Sequence, residues 1–384
     1  MSKNRRTFLW AAGGAGLMLV GGGALFAATR RPSAALRAWD AAKASSSDPR
    51  LAVFRHAILA PNPHNRQPWQ IQLVGQDEAV ITCDLDRRLP QTDPFDRQIT
   101  IGFGCFLELA RIAAAERGLR MDTALFPQGE PVPHLTTAPI AHLRFVPDRG
   151  VAKDPLFGAI LIRRSSKVPF DSSRTVAAGT LDALSRVGGD GAAAVASSDP
   201  ALVADLRALT WRAWMTEATT PRTWQESVDL MRIGRSEIEA NPDGIALGGA
   251  VLEALALAGQ ISRRSLAEPT SRAFRSGVDR YRAIIEQTPS YLWVTTPGNS
   301  RSDQIAGGRA YVRANLAAAV SGLSMHPVSQ ALQEFPEMAI KSDALHARLG
   351  INAPQRIQML ARVGYGAAVD TSARWPLEAK LKSS

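Results

Sequence analysis

Alternating apolar and polar residues along the chain predict short strands, and apolar residues at helical spacing predict helices between them. Trp69 to Val74 alternates before Gly75, which predicts a half-buried strand in a hairpin with residues 79–85. Residues 99–117 place apolar side chains on one face, which predicts a helix ended by Gly118. Further helices are predicted at 51–59, 156–162, 201–217, 223–239, 245–259, 271–287 and 303–321, and further strands at 139–146, 291–295 and 356–365.

These elements do not alternate as regular strand–helix–strand units, which indicates an α+β fold. An offset of 204 residues aligns Ile101–Met121 with Ile305–Met325 without a gap, and nine of the 21 positions are identical. Both stretches end in Gly-Leu-x-Met, so we expect a duplicated unit. Two linked copies would mimic a two-fold dimer, with any interface site made from unlike halves. The expected halves are residues 32–150 and 151–384.

Within the second half, residues 205–260 are expected to form a lid. The pair Thr223 and Glu226 predicts a capping box that opens the helix 223–239. The apolar run 245–259 is too short to span a bilayer and is interrupted by Glu253, so it predicts a buried helix or a partner-facing one. The lid also contains Trp211, Trp214 and Trp224.

Composition adds few constraints on the class of protein. The chain has 384 residues, is 45% apolar and carries a net charge of +10, so it can build a sizeable core. Five of these charges come from Lys3, Arg5, Arg6, Arg30 and Arg31, which leaves +5 for the rest. Basic and acidic residues are interspersed there without a basic stripe, so nucleic acid is not an expected partner.

The amino terminus, residues 1–31, is typical of a twin-arginine export signal. Arg5 and Arg6 precede the uncharged run Ala11–Ala28. We therefore expect the twin-arginine machinery as a partner and the periplasm as the location. Because the cleavage site is weakly marked, a permanent membrane anchor is the alternative. The twin-arginine route carries folded proteins, which hints at a cofactor.

The two cysteines, Cys83 and Cys105, lie among apolar residues and are expected to be buried. A disulfide between them is allowed in the periplasm but not required. No spacing typical of metal ligands occurs, so no metal site is expected.

Residues 60–69 form a stretch rich in proline and amide side chains, here called the turn. Three prolines fix φ and remove backbone donors, so the turn must be a loop. Asn65 and Gln67 offer amide donors and acceptors suited to the edge of a planar heterocycle. A plain surface connection is the alternative. His64 offers an imidazole that is either a proton donor or a surface polar group.

The turn, with Pro61, Asn65, Gln67, Pro68 and Trp69 at their spacing, resembles the flavin-binding turn of the nitroreductase family. Residues 163–167, Arg-Arg-Ser-Ser-Lys, followed by Phe170, resemble the family's opening motif and are here called the basic loop. With the twin-arginine head and the repeat, the chain resembles the Acg-type branch, in which two nitroreductase-like halves share one chain. The resemblance implies FMN bound across the interface between the halves.

By this resemblance, Arg163 and Ser165 hold the FMN phosphate or ribityl chain, and Arg374 lies near the same phosphate. Lys167 lies beside the flavin N1 and C2 carbonyl, where a cation stabilises the anionic reduced flavin. Ser329 and Gln330 pass near N5. No residue is assigned a direct catalytic role. The implied FMN-binding residues are Pro61, Asn62, Pro63, Asn65, Gln67, Arg163, Arg164, Ser165, Lys167, Ser329, Gln330 and Arg374.

The two halves divide the motifs between them. The first half has the turn but no basic loop, and residues 171–201 of the second contain no Asn, Gln or Trp with which to rebuild the turn. We expect one complete FMN site and one empty one. The implied function is an exported FMN oxidoreductase passing two electrons from a small-molecule donor to an electron-poor acceptor such as a quinone or nitro compound. The alternative is a non-catalytic protein that sequesters FMN under the lid.

Overall fold

The structure is a computed structural model that describes residues 29–189 and 191–382. The export-signal prediction falls almost entirely on residues 1–28 and lies outside the described residues. The helices are α1 (Ser33–Ala41), α2 (Pro49–Ala57), α3 (Arg97–Ala115), α4 (Ala178–Ser185), α5 (Pro200–Thr219), α6 (Pro221–Asp229), α7 (Gly234–Ala240), α8 (Ala250–Leu257), α9 (Arg263–Ala267), α10 (Arg272–Glu286), α11 (Arg301–Val320) and α12 (Ala339–Arg348). The strands are β1 (Trp69–Val74), β2 (Glu78–Cys83), β3 (Leu119–Leu125), β4 (Ala141–Pro147), β5 (Ala193–Ser197), β6 (Met231–Ile233), β7 (Ile245–Leu247), β8 (Ser290–Thr296), β9 (Ser324–Pro327) and β10 (Arg356–Gly364).

The first half forms a four-stranded antiparallel sheet in the order β1–β2–β4–β3. The predicted hairpin is confirmed, with Trp69 opposite Cys83 and Val74 opposite Glu78. Its inward residues Trp69, Ile71 and Ile81 are completely buried, while alternate positions are partly exposed, as the polar alternation predicts.

The second half forms an antiparallel sheet in the equivalent order, β5–β8–β10–β9. In both sheets the strand after the long helix lies at an edge, and the last strand in the chain lies inside. This shared order confirms the α+β class and the duplication. A small parallel pair, β6 with β7, belongs to neither sheet.

The long helices α3 and α11 pack against each other through two glycines that the repeat aligns. A Cβ on Gly104 would lie 2.2 Å from the carbonyl oxygen of Ile305, and a Cβ on Gly308 would lie 2.0 Å from that of Ile101. Because residue i of one helix meets residue j of the other and the reverse also holds, the contact has the reciprocity of a two-fold interface. The duplicated halves therefore meet as a dimer would.

Helix α3 is buried on nearly every side, which differs from the predicted single apolar face. Even Arg97 and Glu108 are buried, at 1% and 4% exposure. A helix between two units has no solvent face, so its polar positions must find partners: Arg97 donates to the carbonyl of Gln358, and Glu108 pairs with Arg111 and Arg313. Only this helix, among described residues, is long and apolar enough to cross a membrane, and 89% of its apolar stretch is buried inside the protein.

Three local predictions are wrong. Residues 156–162 form only the short 3₁₀ turn Phe157–Ala159. The predicted helix 223–239 is broken into α6, β6 and α7, because the chain pairs with β7 after Leu230. The expected capping box is absent: α6 already begins at Pro221, and the Glu226 carboxylate accepts hydrogen bonds from Gln91 and Thr92 instead.

The run 245–259 also does not form a buried helix, which was one of the two structures predicted for it. It forms β7 and then α8, and no residue of α8 is buried. Both cysteines are buried, as expected, and neither forms a disulfide.

Candidate functional site

The turn is braced by its own amide side chains. Asn62 Oδ1 accepts a hydrogen bond from the backbone N–H of Gln67 (2.7 Å), and Asn62 Nδ2 donates to the carbonyl of Ala60 (3.1 Å). His64, Asn65 and Gln67 have positive φ angles of 45°, 54° and 50°. Because the left-handed conformation costs a non-glycine residue about 1–2 kcal/mol, the turn stores strain that the surrounding contacts must offset.

Arg374, in the C-terminal segment, supplies many of those contacts. Its Nη1 donates to Asn65 Oδ1 (2.6 Å), and Asn65 Nδ2 donates to the carbonyl of Ala373 (3.0 Å). Its other N–H groups reach the carbonyls of Ile58, Leu59 and Ala60. These carbonyls directly follow α2, so Arg374 satisfies groups that the end of a helix leaves unpaired and complements its dipole.

Arg163, in the basic loop, reaches one of the same carbonyls from the second half. It is 2% exposed, donates from Nη2 to the carbonyl of Leu59, and donates from Nη1 to Asn315 Oδ1 (3.3 Å). Its Nε has no hydrogen-bond partner among the described residues. The turn and the basic loop, about a hundred residues apart in sequence, therefore meet at the end of α2.

Arg163 and Arg374 are two neighbouring buried cations, and no carboxylate of the described chain forms an ion pair with either. Burial lowers the pKa of the Arg163 guanidinium to about 10. Burial, followed by the charge of Arg163, lowers the pKa of the Arg374 guanidinium to about 9. Unpaired buried charge is costly. A phosphate dianion is the kind of group that would compensate it through charge-assisted hydrogen bonds.

Lys167 places a third cation beside the turn. Its side chain is exposed, yet enough protein surrounds it that desolvation lowers the pKa of the ammonium, with Glu217 opposing the shift. It forms no hydrogen bond or ion pair with any residue in 29–189 or 191–382. Its charge also lowers the pKa values of His64 and His326, after desolvation, so these side chains share one region.

His64 is a neutral imidazole in this region. Desolvation, followed by the charges of Lys167 and Arg66, lowers its pKa to about 3. Its Nδ1 is buried and has no hydrogen-bond partner among the described residues. At neutral pH His64 therefore carries a single ring proton, and its role as a proton donor stays a prediction.

Glu217, on α5, faces this region from the lid. It is 5% exposed and accepts hydrogen bonds from Gln333 Nε2 (3.0 Å) and Ser227 Oγ (3.2 Å). Burial raises the pKa of its carboxyl to about 7, with Lys167 opposing the rise. Sequence reasoning missed Glu217, because one acid in a helix that also carries exposed polar residues has no distinguishing pattern.

Residues 241–244, within the segment that we expect to form a lid, contact the turn. Gln67 Nε2 donates to the carbonyls of Pro242 (2.8 Å) and Asn65 (3.2 Å), and its Oε1 accepts from the N–H of Trp375 (2.9 Å). Asp243 accepts from Arg87 and from Arg232 (2.8 Å). Since the amides of Asn65 and Gln67 bond to protein groups, contact between them and a flavin edge stays a prediction.

The remaining predicted site residues lie around the same region. The N–H of Ser166, in the basic loop, donates to the carbonyl of Met325 (2.8 Å), which places the loop beside β9. Arg164 stacks over Trp39 at 5.0 Å, and Ser165 is exposed. After β9, Ser329 Oγ donates to the carbonyl of Leu360 (3.1 Å), and Gln330 Oε1 is buried near Tyr281. Pro61 and Pro63 flank Asn62 within the turn.

The fold and this site define the class: an α+β protein of two duplicated halves with one composite basic site. No family model matches the chain. The chain is 32% identical over 115 residues to a protein of Mycobacterium tuberculosis (strain ATCC 25618 / H37Rv) named as an NAD(P)H nitroreductase, acg, covering 30% of this chain and 33% of that protein. It is 33% identical over 130 residues to the uncharacterized protein Rv3127 of the same strain, covering 31% of this chain and 36% of that protein.

The chain thus spans about a third of the length of these curated relatives. Among solved structures it is similar to the FMN and NADPH-dependent nitroreductase NfnB from a Sphigopyxis strain, with 14% identity, a TM-score of 0.38 and coverage of 60% of this chain and 99% of the other. It is also similar to the FMN-dependent nitroreductase NfnB from Mycobacterium smegmatis in complex with NADPH, with 17% identity, a TM-score of 0.37 and coverage of 58% and 94%. The predicted resemblance to Acg-type nitroreductases is confirmed by the curated relatives.

Proposed function

We propose that this protein is an FMN-dependent oxidoreductase of the nitroreductase type. The observation that carries the proposal is the meeting of the turn with Arg163 and Arg374, which the chain supplies from different halves. Both guanidiniums are buried without a carboxylate partner among the described residues, which fits the phosphate of FMN. Lys167, with no partner of its own in the described chain, fits the electron-rich edge of a flavin ring.

In this proposal each residue has a separate task. Bound FMN would supply two-electron transfer to an electron-poor acceptor such as a quinone or nitro compound, from a small-molecule donor. Arg163, whose Nε has no partner among the described residues, would bind the phosphate, and Arg374, whose N–H groups bond to protein acceptors, would add positive charge while keeping the end of α2 and the turn in place. Lys167 would hold positive charge beside the ring. Glu217 would hold a proton on the lid side, because its pKa of about 7 leaves it partly protonated at neutral pH.

The lid favours a second candidate, a protein that sequesters FMN without turnover. Its loop is tied to the turn by the Gln67–Pro242 bond, and Glu226 accepts from the backbone N–H groups of Gln91 and Thr92 (both 2.9 Å). Such anchors on both sides would restrict entry of a substrate. Each anchor is a few hydrogen bonds, so opening of the lid would set the rate of any turnover.

We also propose that the chain is exported by the twin-arginine machinery to the periplasm. Arg5, Arg6 and the uncharged run Ala11–Ala28 support this proposal. Because the two halves already form a dimer-like contact, a single chain would carry the complete site.

Flavin absorbance of the purified protein tests the cofactor, and steady-state oxidation of NADPH or NADH with and without a quinone tests turnover. FMN in the protein together with quinone-dependent oxidation supports the enzyme. Bound FMN that neither NADPH nor dithionite reduces at a measurable rate, with an intact lid, would favour sequestration. Protein without flavin that also fails to bind added FMN would contradict both candidates.

A further inference from the structure

Helix α8 turns an apolar face to solvent. Val251 and Leu257 are each 73% exposed, and Ala254 and Ala258, at helical spacing from them, are exposed as well. At about 100° per residue these four positions lie on one side of the helix. We call them the α8 face. It contains no polar side chain.

The charged residue of α8 points the other way. The Glu253 side chain is 12% exposed, and its carboxylate accepts from Arg30 Nη1 (3.0 Å) and from the N–H of Arg235 (3.3 Å). A surface helix of a globular protein normally buries its apolar stripe and exposes its charges. Helix α8 does the reverse, and an exposed contiguous apolar patch marks a contact surface.

The position of the N-terminal segment indicates what contacts this face. Arg235 Nη1 donates to the carbonyl of Thr29 (2.9 Å), and Arg30 pairs with Glu253 of α8. The uncharged run Ala11–Ala28 therefore joins the described chain directly beside α8. A run of 18 such residues partitions toward a bilayer. We propose that α8 is a membrane-contact helix whose face lies in the interfacial region of a lipid bilayer.

Three exposed arginines lie on the segments next to α8 in the chain or bonded to it. The side chains of Arg31, Arg235 and Arg263 are 62%, 40% and 43% exposed. Long arginine stems can cover apolar surface while their guanidiniums reach phosphate oxygens. Because all three are paired with acids, the apolar contact supplies most of the binding. Salt and the fraction of anionic lipid therefore have a small effect.

Other exposed apolar side chains supply the control. Ile340 is 78% exposed on α12, and its helix neighbours Lys341 and Asp343 are polar. Single exposed apolar residues are ordinary in globular proteins. Val251 and Ile340 are thus matched in exposure and in helical setting, and they differ in whether apolar neighbours surround them.

A fluorophore placed on a cysteine tests the proposal with the full-length chain. Cys83 and Cys105 are 4% and 2% exposed, so an introduced surface thiol is the one that reacts. An environment-sensitive dye on Val251→Cys is compared with the same dye on Ile340→Cys. The vesicles contain phosphatidylethanolamine, phosphatidylglycerol and a lipid with a quencher on its acyl chain. We expect quenching of at least about two-fold at position 251 and little at 340.

A second substitution separates docking of α8 from anchoring by the N-terminal run alone. Leu257→Asp in the Val251→Cys chain should remove most of the quenching, while Ile340→Asp should leave it unchanged. Equal quenching at 251 and 340, or none at 251, overturns the proposal. Shielding of the dye without vesicles also overturns it. If this shielding grows with protein concentration, the α8 face contacts a second copy of the chain. If the shielding is independent of protein concentration, the face contacts residues 11–28. FMN is not needed for this test, so its outcome is independent of the proposed function.

Discussion

The two halves of the chain share a sheet order and a helix contact but connect them differently. Between α2 and β1 the first half has eleven residues, 58–68, rich in proline and amide side chains. Between α4 and β5 the second half has seven, 186–192, with three glycines and no Pro, Asn or Gln. The halves agree where backbone contact determines packing and differ where a ligand would be bound.

This difference explains why one site is expected and not two. The basic loop and Arg374 come from the second half, and the turn they meet comes from the first. At the symmetry-related position, the second half has the short connection 186–192 in place of the turn. A duplicated protein with both copies in one chain is free to lose one of two equivalent sites, because the shared core depends on neither. The predictions below test the core first and the site afterwards.

Gly308→Ala should have the largest effect, because it acts where the halves agree. The new Cβ would lie 2.0 Å from the carbonyl of Ile101, a backbone group that cannot move aside without separating the helices. We expect a loss of about 3 kcal/mol or more in the free energy of unfolding. Urea unfolding measures it. Gly277→Ala is the control, because a Cβ on this helical glycine would have no neighbouring atom within 4 Å. It should be neutral or stabilising by up to about 1 kcal/mol. Equal effects would mean that the halves do not meet at Gly104 and Gly308.

Arg374→Ala should destabilise the protein even without FMN. It leaves the carbonyl of Ile58 and Asn65 Oδ1 without their donor and removes one of two donors from the carbonyls of Leu59 and Ala60, at a total cost of about 2–3 kcal/mol. Arg374→Lys should not rescue it, because one ammonium cannot reach all these acceptors. Thermal unfolding of flavin-free protein measures the loss, and the exposed Arg149→Ala serves as control. A stability unchanged by Arg374→Ala would show that this residue does not hold the turn.

Lys167→Ala should weaken FMN binding without changing the stability of the flavin-free protein, in contrast to Arg374→Ala. Since Lys167 bonds to no described residue and its pKa is lowered by desolvation, the flavin-free protein should keep its stability. The dissociation constant for FMN should rise about 10–100-fold, as expected for loss of one charge beside the ring. Titration of FMN fluorescence measures it. The exposed Lys153→Ala is the control. Unchanged FMN affinity would remove Lys167 from the site.

Glu217→Gln should give the smallest effect, a change in the pH dependence of stability. The folded pKa of about 7 lies above the ordinary value of 4.5, so between these pH values the folded state keeps a proton that the unfolded state releases. Stability contributed by Glu217 is therefore complete below pH 4.5 and lost as pH rises to 7. The groups that act on it are Glu226, Lys167 and Tyr281.

We expect the variant to lose roughly 1–2 kcal/mol of the difference in unfolding free energy between pH 5 and pH 8. Urea unfolding at both pH values provides the measurement. The exposed Glu286→Gln should keep the dependence of the parent protein. An identical pH profile for Glu217→Gln would show that the carboxyl does not hold a proton at neutral pH.

Much of the fold could be predicted from sequence, because apolar alternation and helical spacing report directly on burial. The hairpin β1–β2, the helices α3 and α11 and the repeat were predicted within a few residues. Strands β3, β5 and β9 were missed, because edge strands that mix small, polar and apolar residues carry a weak pattern. The long helix 223–239 was predicted as one element, because the pairing of β6 with β7 is a tertiary contact that no local pattern encodes.

For the site, the motifs identified which segments meet but not how their side chains are used. The turn and Arg163 were predicted to share a site, and the structure brings them together. The use of Arg374 and Gln67 to hold carbonyls and the lid depends on neighbours up to 316 residues away in sequence. Glu217 and His326 become notable only through burial. Spacing along the chain cannot report the surroundings of a single acid or imidazole.

The central claim is that the two halves together make one FMN site, and the ratio of FMN to protein tests it most directly. The full-length chain is saturated with FMN, freed of excess by gel filtration, and its bound flavin is measured by absorbance against protein concentration from amino-acid analysis. The account predicts one FMN per chain in the parent protein and a large loss in the double variant Arg163→Ala, Lys167→Ala. Two FMN per chain, none, or one that survives both substitutions would contradict it.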